Sequence, residues 1–242
     1  MNLLKNTLKS NGIELSSQQE EQFTVYLEFL IKTNKEFNLT AITEPAGIEL
    51  YHFADCVKII PFLLEQTNND LNTFNNLKLI DIGSGAGFPG LVFKILFPEM
   101  EITLLDSLGK RVNFLKDTVH LLDLKNVNCI HGRAEDISHY KSYREMYDIA
   151  IARAVAPLPV LSEYCIPFVK ENGFFVAMKS KFEEEIETSR NAVNILGGEI
   201  CGIREYYLNE DDIYRSLLMI KKTGRTPEIF PRKAGIPKKN PL

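Results

Sequence analysis

The chain is poor in cysteine and has no long apolar run, and each shortage narrows what it can be. Its four cysteines, Cys56, Cys129, Cys165 and Cys201, are widely spaced. No CxxC pair exists, so a zinc or redox centre lacks a ligand framework and free thiols are expected. Nothing else suggests secretion, so disulfides are not expected. No apolar stretch approaches the roughly 18–20 residues that would span a bilayer. The start, Met1-Asn2-Leu3-Leu4-Lys5-Asn6, turns polar too soon for a signal peptide. These absences lead us to expect a cytoplasmic protein with no membrane segment and no metal. No repeat of fixed period and no low-complexity tract is present. A global positive charge is also missing, since the net charge is −4. The charge is nevertheless uneven. Seven Lys or Arg stand against one acid, Glu228, between Lys221 and Leu242, which gives that tail +6 and leaves −10 on the rest. A basic end on an acidic body can mark a polyanion contact or simply a solvated tail.

What is present is an ordinary globular composition. Apolar residues make up 45% and charged residues 25% of 242, enough for one α/β domain with a small extension. Ser17 with Glu20 reads as a capping box. Phe23, Tyr26, Leu27 and Leu30 follow at helical spacing, and a second helical stretch runs from about Ala46 to Gln66. The polar Asn68-Asn69-Asp70 and Asn75-Asn76 form a turn-rich connector. From Leu77 onward strand-like and helix-like segments alternate to about Lys181, and two late strands close the chain, Glu199 to Tyr207 and Ser216 to Lys221. That alternation predicts a mostly parallel sheet with helices on both faces and an antiparallel edge. The expected organisation is a helical cap over 1–76, a cofactor-binding domain over 77–222, and a basic tail over 223–242 packed near the active site.

The sharpest motif is Asp81-Ile82-Gly83-Ser84-Gly85-Ala86-Gly87-Phe88-Pro89-Gly90, between the first strand and a helix. Glycines there let the chain turn tightly and let a ligand approach the backbone. Gly85-x-Gly87-x-x-Gly90 formally matches the dinucleotide fingerprint. Gly83-x-Gly85-x-Gly87 with Asp81 ahead of it instead resembles the first motif of S-adenosyl-L-methionine methyltransferases. A dinucleotide needs free helix N-terminal amides for its pyrophosphate, and Pro89 removes one of them. S-adenosyl-L-methionine carries no phosphate, and an acid such as Asp81 suits its ammonium group. Asp106 ends the second strand and can accept from ribose hydroxyls of either cofactor. Gly132-Arg133-Ala134-Glu135 follows the third strand. There Ala134 and Glu135 either bound an adenine or merely cap the next helix.

Taken with Asn38-Leu39-Thr40, His52-x-x-Asp55, Asp106-Ser107-Leu108-Gly109-Lys110-Arg111, Arg153-Ala154 and Pro231-Arg232-x-x-Gly235-x-Pro237, these residues resemble the glucose-inhibited division protein B family, ribosomal RNA guanine-N7 methyltransferases. The resemblance covers about Asn38 to Leu242. It implies a class I methyltransferase fold, a Rossmann-like seven-stranded sheet with an N-terminal helical cap. It implies S-adenosyl-L-methionine as cofactor, held by Gly83, Phe88, Ala134, Glu135 and Arg153, with Asp106, Ser107 and Leu108 at the ribose. It implies a single guanine of 16S ribosomal RNA, guanine 527, as target. Cys56 departs from the family, which often has Ser after the aspartate.

N7 of guanine has an exposed lone pair and needs no deprotonation, so positioning is the expected work of the enzyme. Asn38, His52, Asp55 and Arg153 are the candidate catalytic residues. Asp55 could face the cation formed on guanine, or pair with a nearby cation in the cap. His52 reads equally as a structural histidine. Strand four ends Ile151-Ala152-Arg153-Ala154, without the Pro-Pro run of amino-group methyltransferases, and no Pro-Cys nucleophile of cytosine-C5 enzymes occurs. Lys110, Arg111, Arg133, Lys179, Arg232 and Lys233 are candidate contacts to RNA phosphates. Other readings are an NAD-dependent oxidoreductase and a non-catalytic RNA-binding protein on the same fold. A monomer bound to the small ribosomal subunit is the expected working form.

Overall fold

A computed structural model describes residues 1–67, 70–153, 156–180, 183–208 and 213–242. Asn68 and Asn69 of the expected connector and Ala154 of the Arg153-Ala154 pair lie outside the described residues. Seven strands form one sheet in the order β3-β2-β1-β4-β5-β7-β6. They are β1 (Lys78–Ile82), β2 (Glu101–Asp106), β3 (Val127–His131), β4 (Tyr147–Arg153), β5 (Val169–Lys179), β6 (Gly198–Leu208) and β7 (Ile213–Lys222). The first five run parallel, and β7 enters antiparallel to both β5 and β6. The chain reverses direction along the sheet between β1 and β4, which opens a crevice at their carboxyl ends.

Side chains alternate across the sheet with the period-two rule. Leu79, Leu104, Ile149 and Ile151 join one buried cluster, and Ile80, Leu105, Ala150 and Ala152 join the other. Both faces must therefore be covered, as in parallel sheets generally. The first face lies under the N-terminal helices. These are α1 (Asn2–Lys9), α2 (Ser17–Asn34), α3 (Pro45–Ile48), α4 (Asp55–Val57) and α5 (Ile59–Thr67). The first-face cluster also contains Phe23, Tyr26 and Leu30 of α2. The cap of α2 is Ser16, not the expected Ser17, and it pairs reciprocally with Gln19. Ser has the same role at either position, so sequence alone misplaces the box by one residue. The stretch expected as one helix from Ala46 is interrupted by a π-helical turn, Glu49–Ala54. Such turns accommodate an extra residue and re-aim side chains, often at functional sites. Here it precedes Asp55 and buries His52, Phe53 and Ala54.

After the glycine loop α6 (Gly90–Leu96) is buried along its whole length. Its Lys94 reaches the carbonyls of Pro98 and Met100 at 2.6 Å, which satisfies the buried ammonium. The remaining helices are α7 (Gly109–Leu121), α8 (Ala134–Ile137), α9 (Leu158–Cys165), α10 (Glu183–Ile195) and α11 (Ile236–Lys239). No described helix is long and apolar enough to cross a membrane.

Candidate functional site

The glycine loop takes its shape from backbone geometry that other residues resist. Gly83, Gly85 and Gly87 have φ of 73°, 59° and 96°. A Cβ on Gly87 would meet Leu91 Cδ1 at 2.4 Å and the Tyr26 hydroxyl at 2.8 Å, so this glycine lets α2 approach. The loop amides are largely consumed within the protein. Those of Gly83 and Ser84 donate to the Leu105 carbonyl, those of Gly87 and Phe88 to Ser84, and that of Leu91 to Gly87. Gly85 donates to Asp106 Oδ2 and Gly90 to Asp81 Oδ2, each at 2.9 Å. The start of α6 therefore already holds a carboxylate, and a pyrophosphate would meet a negative charge where it needs amides. The dinucleotide reading fails on this geometry.

Two adjoining cavities lie at the carboxyl ends of the strands. The first, of about 350 Å³, runs from Gly83 and Asp106 to Ala134 and Glu135 and is bounded by Tyr164 of α9. The second, of about 390 Å³, lies between the loop and the cap and is lined by Leu39, Thr40, His52, Phe88, Arg111 and Arg153. Gly83, Asp106 and Ser107 line both, so the two are ends of one cleft. Asp106 accepts from the Leu108 amide at 2.9 Å through Oδ1 and lies 3.6 Å from Arg111. A carboxylate has about four acceptor sites, so capacity remains for a diol. The first cavity thus fits an adenosine. Apolar Leu105 and Ala134 line it, and the Asp106 carboxylate stands at its junction with the second.

Arg153 organises the second cavity. Its Nη1 donates to the Tyr51 carbonyl at 3.1 Å and its Nη2 to His52 Nδ1 at 3.0 Å. Arginine can only donate, so His52 Nδ1 is the acceptor. The same nitrogen lies 3.0 Å from the Tyr51 carbonyl, and Nε2 lies 2.8 Å from Thr40 Oγ1. Burial, with Arg153 beside it, lowers His52 to about 3. Phe88 stacks on the His52 ring at 4.5 Å, and the Arg153 guanidinium sits 5.1 Å from its ring centre.

Several expected site residues lie elsewhere. Asp55 is buried outside the cavity, where its carboxylate accepts from Tyr206 at 2.7 Å and sits 3.6 Å from Arg153 and 3.9 Å from Arg215. Burial raises its pKa despite those three partners. Its cationic partners come from β4 and β7, so it ties the cap to the sheet. Asn38 is exposed, and Leu39 and Thr40 rather than Asn38 line the cavity. Asp81 lies beneath the loop, fully buried, and burial pushes it up to about 7. Its Oδ1 has no hydrogen-bond partner. Leu108 is 52% exposed, and neither it nor Gly87 lines a cavity.

The basic residues divide as well. Arg111 and Arg133 line the cleft, and Lys110 and Lys233 are exposed. Arg232 instead forms a two-pronged ion pair with Glu163, at 2.9 and 2.6 Å, and Glu163 is completely buried. Lys179 pairs with Glu185. Lys222, the last residue of β7, is also buried, 3.0 Å from Glu145. Two candidate phosphate contacts, Arg232 and Lys179, are thus paired with acids of the protein.

The sequence profile of the family described as rRNA small subunit methyltransferase G matches residues 19–212. The chain is 48% identical over 231 residues to the Ribosomal RNA small subunit methyltransferase G of Acetivibrio thermocellus, covering 96% of this chain and 92% of that protein. It is 45% identical over 242 residues to the protein of the same name from Clostridium botulinum strain 657, covering 100% and 98%. The chain belongs to this family. Its fold is shared with a SAM dependent methyltransferase from Aquifex aeolicus, at a TM-score of 0.52 and 16% identity over 78% of this chain and 97% of that one. It is shared also with Aeropyrum pernix fibrillarin, a structure with bound S-adenosyl-L-methionine, at a TM-score of 0.50 and 16% identity over 67% and 74%. The chain is thus an S-adenosyl-L-methionine-dependent rRNA methyltransferase of class I fold.

Within this rRNA methyltransferase G framework, sequence reasoning overlooked several contributors. Tyr26 hydroxyl donates to the Ala86 carbonyl at 2.5 Å, and its ring stacks on Phe88. Its place in the apolar stripe of α2 was legible, but its hydroxyl partner lies 60 residues away. Tyr206 and Arg215, which hold Asp55, come from the late strands and leave no local motif. Tyr164 and Lys238 line the first cavity without any spacing that announces it, and Gly235 joins them there from the Pro231-Arg232-x-x-Gly235-x-Pro237 motif.

Proposed function

We propose that this protein transfers a methyl group to N7 of a single guanine of 16S ribosomal RNA, guanine 527. The observation that carries the reading is the two-ended cleft. One end suits an adenosine, and the other is an aromatic and arginine-lined cavity beside it. S-adenosyl-L-methionine supplies an electrophilic methyl on a sulfonium when bound. Asp106 takes the ribose hydroxyls, Gly83 gives the backbone room, and Ala134 and Glu135 bound the base. Asp81 holds the Gly90 amide and so fixes the loop from beneath, and Arg153 reaches the second cavity from the end of β4.

The chain's residues then need only orient the guanine. The lone pair of N7 points out of the base and attacks without losing a proton, so no general base is required. His52, lowered to about 3, stays neutral at physiological pH and fits that requirement. Phe88, backed by His52 and Arg153, supports a flat aromatic surface at the cavity. Arg111, Arg133, Lys110 and Lys233 are left for phosphates. We read the enzyme as a cytoplasmic monomer acting on the small subunit. Residues 1–76 serve as cap, 77–222 as cofactor domain and 223–242 as tail.

The test is transfer of radiolabelled methyl to 16S RNA and to small subunits lacking the modification, mapped by N7-specific strand cleavage. The wild type labels one guanine, and Gly83→Trp labels none. Tight cofactor binding with no labelling of either RNA would discard the substrate and keep the fold. Titration with NADH is expected to show no binding.

A further inference from the structure

The first cavity is closed on one side by the end of the chain. The loop after β1 supplies Gly83, β2 supplies Asp106, α8 supplies Glu135 and α9 supplies Tyr164, but Gly235 and Lys238 complete the lining. The tail does not rest there loosely. The Gly235 amide donates to Glu135 Oε1 at 3.2 Å, so the residue that bounds the base also holds the tail. Three residues earlier, Arg232 grips the buried Glu163 with its side chain, and its amide donates to the same carboxylate at 2.7 Å. Upstream, Arg144 donates to the carbonyls of Thr226, Pro227 and Phe230 at 2.9–3.1 Å, and His139 lies 2.8 Å from the Pro231 carbonyl. Gly235 itself has φ of 84°, where the chain turns into α11 and brings Lys238 to the cavity.

We infer that residues 232–239 are a cofactor-binding element, with Gly235 and Lys238 forming the fourth wall around the adenosine. This rests on the cofactor assignment made above. It also gives a role at the cofactor to the tail, whose charge by itself left a polyanion contact and a solvated end open. Its Arg232 is committed inward to Glu163. Lys238 can lay its methylene stem along a base while its ammonium stays in water. Such a wall acts on the affinity for the adenosine end and leaves the guanine end untouched.

The experiment is calorimetric titration of the full chain, of Lys238→Ala, and of a chain stopping after Gly235. The ligands are S-adenosylhomocysteine and 5′-methylthioadenosine, which has no amino-acid end. The shortened chain is expected to lose about tenfold in affinity for both ligands, equivalent to about 1.4 kcal/mol. Lys238→Ala should lose about twofold to threefold, the smaller part of the same contact surface. The KM for RNA and the unfolding midpoint of Lys238→Ala without ligand should stay at wild-type values. Equal affinity of all three proteins for both ligands would overturn the inference, and so would a raised KM for RNA with cofactor affinity intact. A wild-type chain that binds neither ligand would instead overturn the cofactor assignment. Should the shortened chain fail to fold, Lys238→Ala against Lys238→Met decides, since methionine keeps the apolar stem and should restore the affinity.

Discussion

The N-terminal cap and the C-terminal tail cover neighbouring parts of one cleft, yet different forces hold them. The cap is held by apolar burial. Phe23, Tyr26, Phe53 and Phe88 form one aromatic group with ring centres 5.2–5.7 Å apart, and all are at most 4% exposed. The tail is held by charge and hydrogen bonds, through Arg232 on Glu163, the Thr226 amide on Glu145 and Arg144 on three carbonyls. Apolar contact is tolerant of small shifts, whereas a buried ion pair is costly when half of it is lost. The cap therefore meets the second cavity as a packed wall, and the tail meets the first cavity as a strap fixed at discrete points.

Breaking each anchor should show the difference. Phe23→Ala should cost about 3–5 kcal/mol, the usual range for a buried phenylalanine. Arg232→Met should cost about 3–5 kcal/mol by stranding a buried carboxylate. Urea unfolding at several pH values separates them. The Phe23→Ala loss should be flat with pH, while the Arg232→Met loss should shrink in acid, where an unpaired buried carboxylate can be protonated. Parallel pH profiles would erase the distinction.

The next effect in size concerns chemistry. Arg153→Met should lower kcat by about a hundredfold, since it frees both the cavity wall and the His52 ring from their alignment. The imidazole of His52 should at the same time titrate well above about 3, because Arg153 is one of the causes that lowers it. NMR titration of that ring checks the link independently of turnover. Tyr26→Phe is milder. It removes the hydrogen bond to Ala86, worth about 1 kcal/mol, and should raise the KM for the cofactor severalfold with kcat nearly unchanged.

The smallest effect compares the two buried ionisable groups beside the loop. Asp81 is raised to about 7 from 3.8, so its contribution to stability is full below 3.8 and is lost as pH rises through about 7. His52 is lowered to about 3 from 6.5, so its contribution is full above 6.5 and is lost as pH falls through about 3. Asp81→Asn keeps an acceptor for Gly90 and removes the first loss. The ligand-free variant should unfold a few degrees higher than wild type at pH 8, by roughly ΔΔG/ΔS, and no higher at pH 4. Equal midpoints at both pH values would show that Asp81 carries no such burden.

The contrast between cap and tail also explains what could be read from the sequence. Local periodicity announces apolar anchoring. The stripe Phe23, Tyr26, Leu27, Leu30 locates α2, and the alternation of strand-like and helix-like segments from Leu77 announces the parallel strands. The glycine loop and Asp106 were legible because their chemistry depends on sequential spacing. Helix α1 was not, because eight residues with two buried leucines are too short a sample of any period. Asp55 is singled out by its motif, while its partners Tyr206 and Arg215 lie on late strands that no local spacing announces. Arg232 reads as a candidate phosphate contact from sequence because its partner, Glu163, is 69 residues distant and on another element. Charge on a tail shows in composition, whereas its cancellation depends on tertiary structure.

The position of Gly235 and Lys238 also has a meaning in time. Synthesis proceeds from the N-terminus, and domains generally fold as they emerge. The cap is therefore available before the sheet it covers, whereas the segment from Arg232 to Lys239 is translated after every strand. While the tail is still being threaded out, the first cavity has only three sides. A nascent chain of this ribosome-modifying enzyme would hold its cofactor poorly until translation had passed Lys238, so its competence follows the folding of the sheet instead of accompanying it.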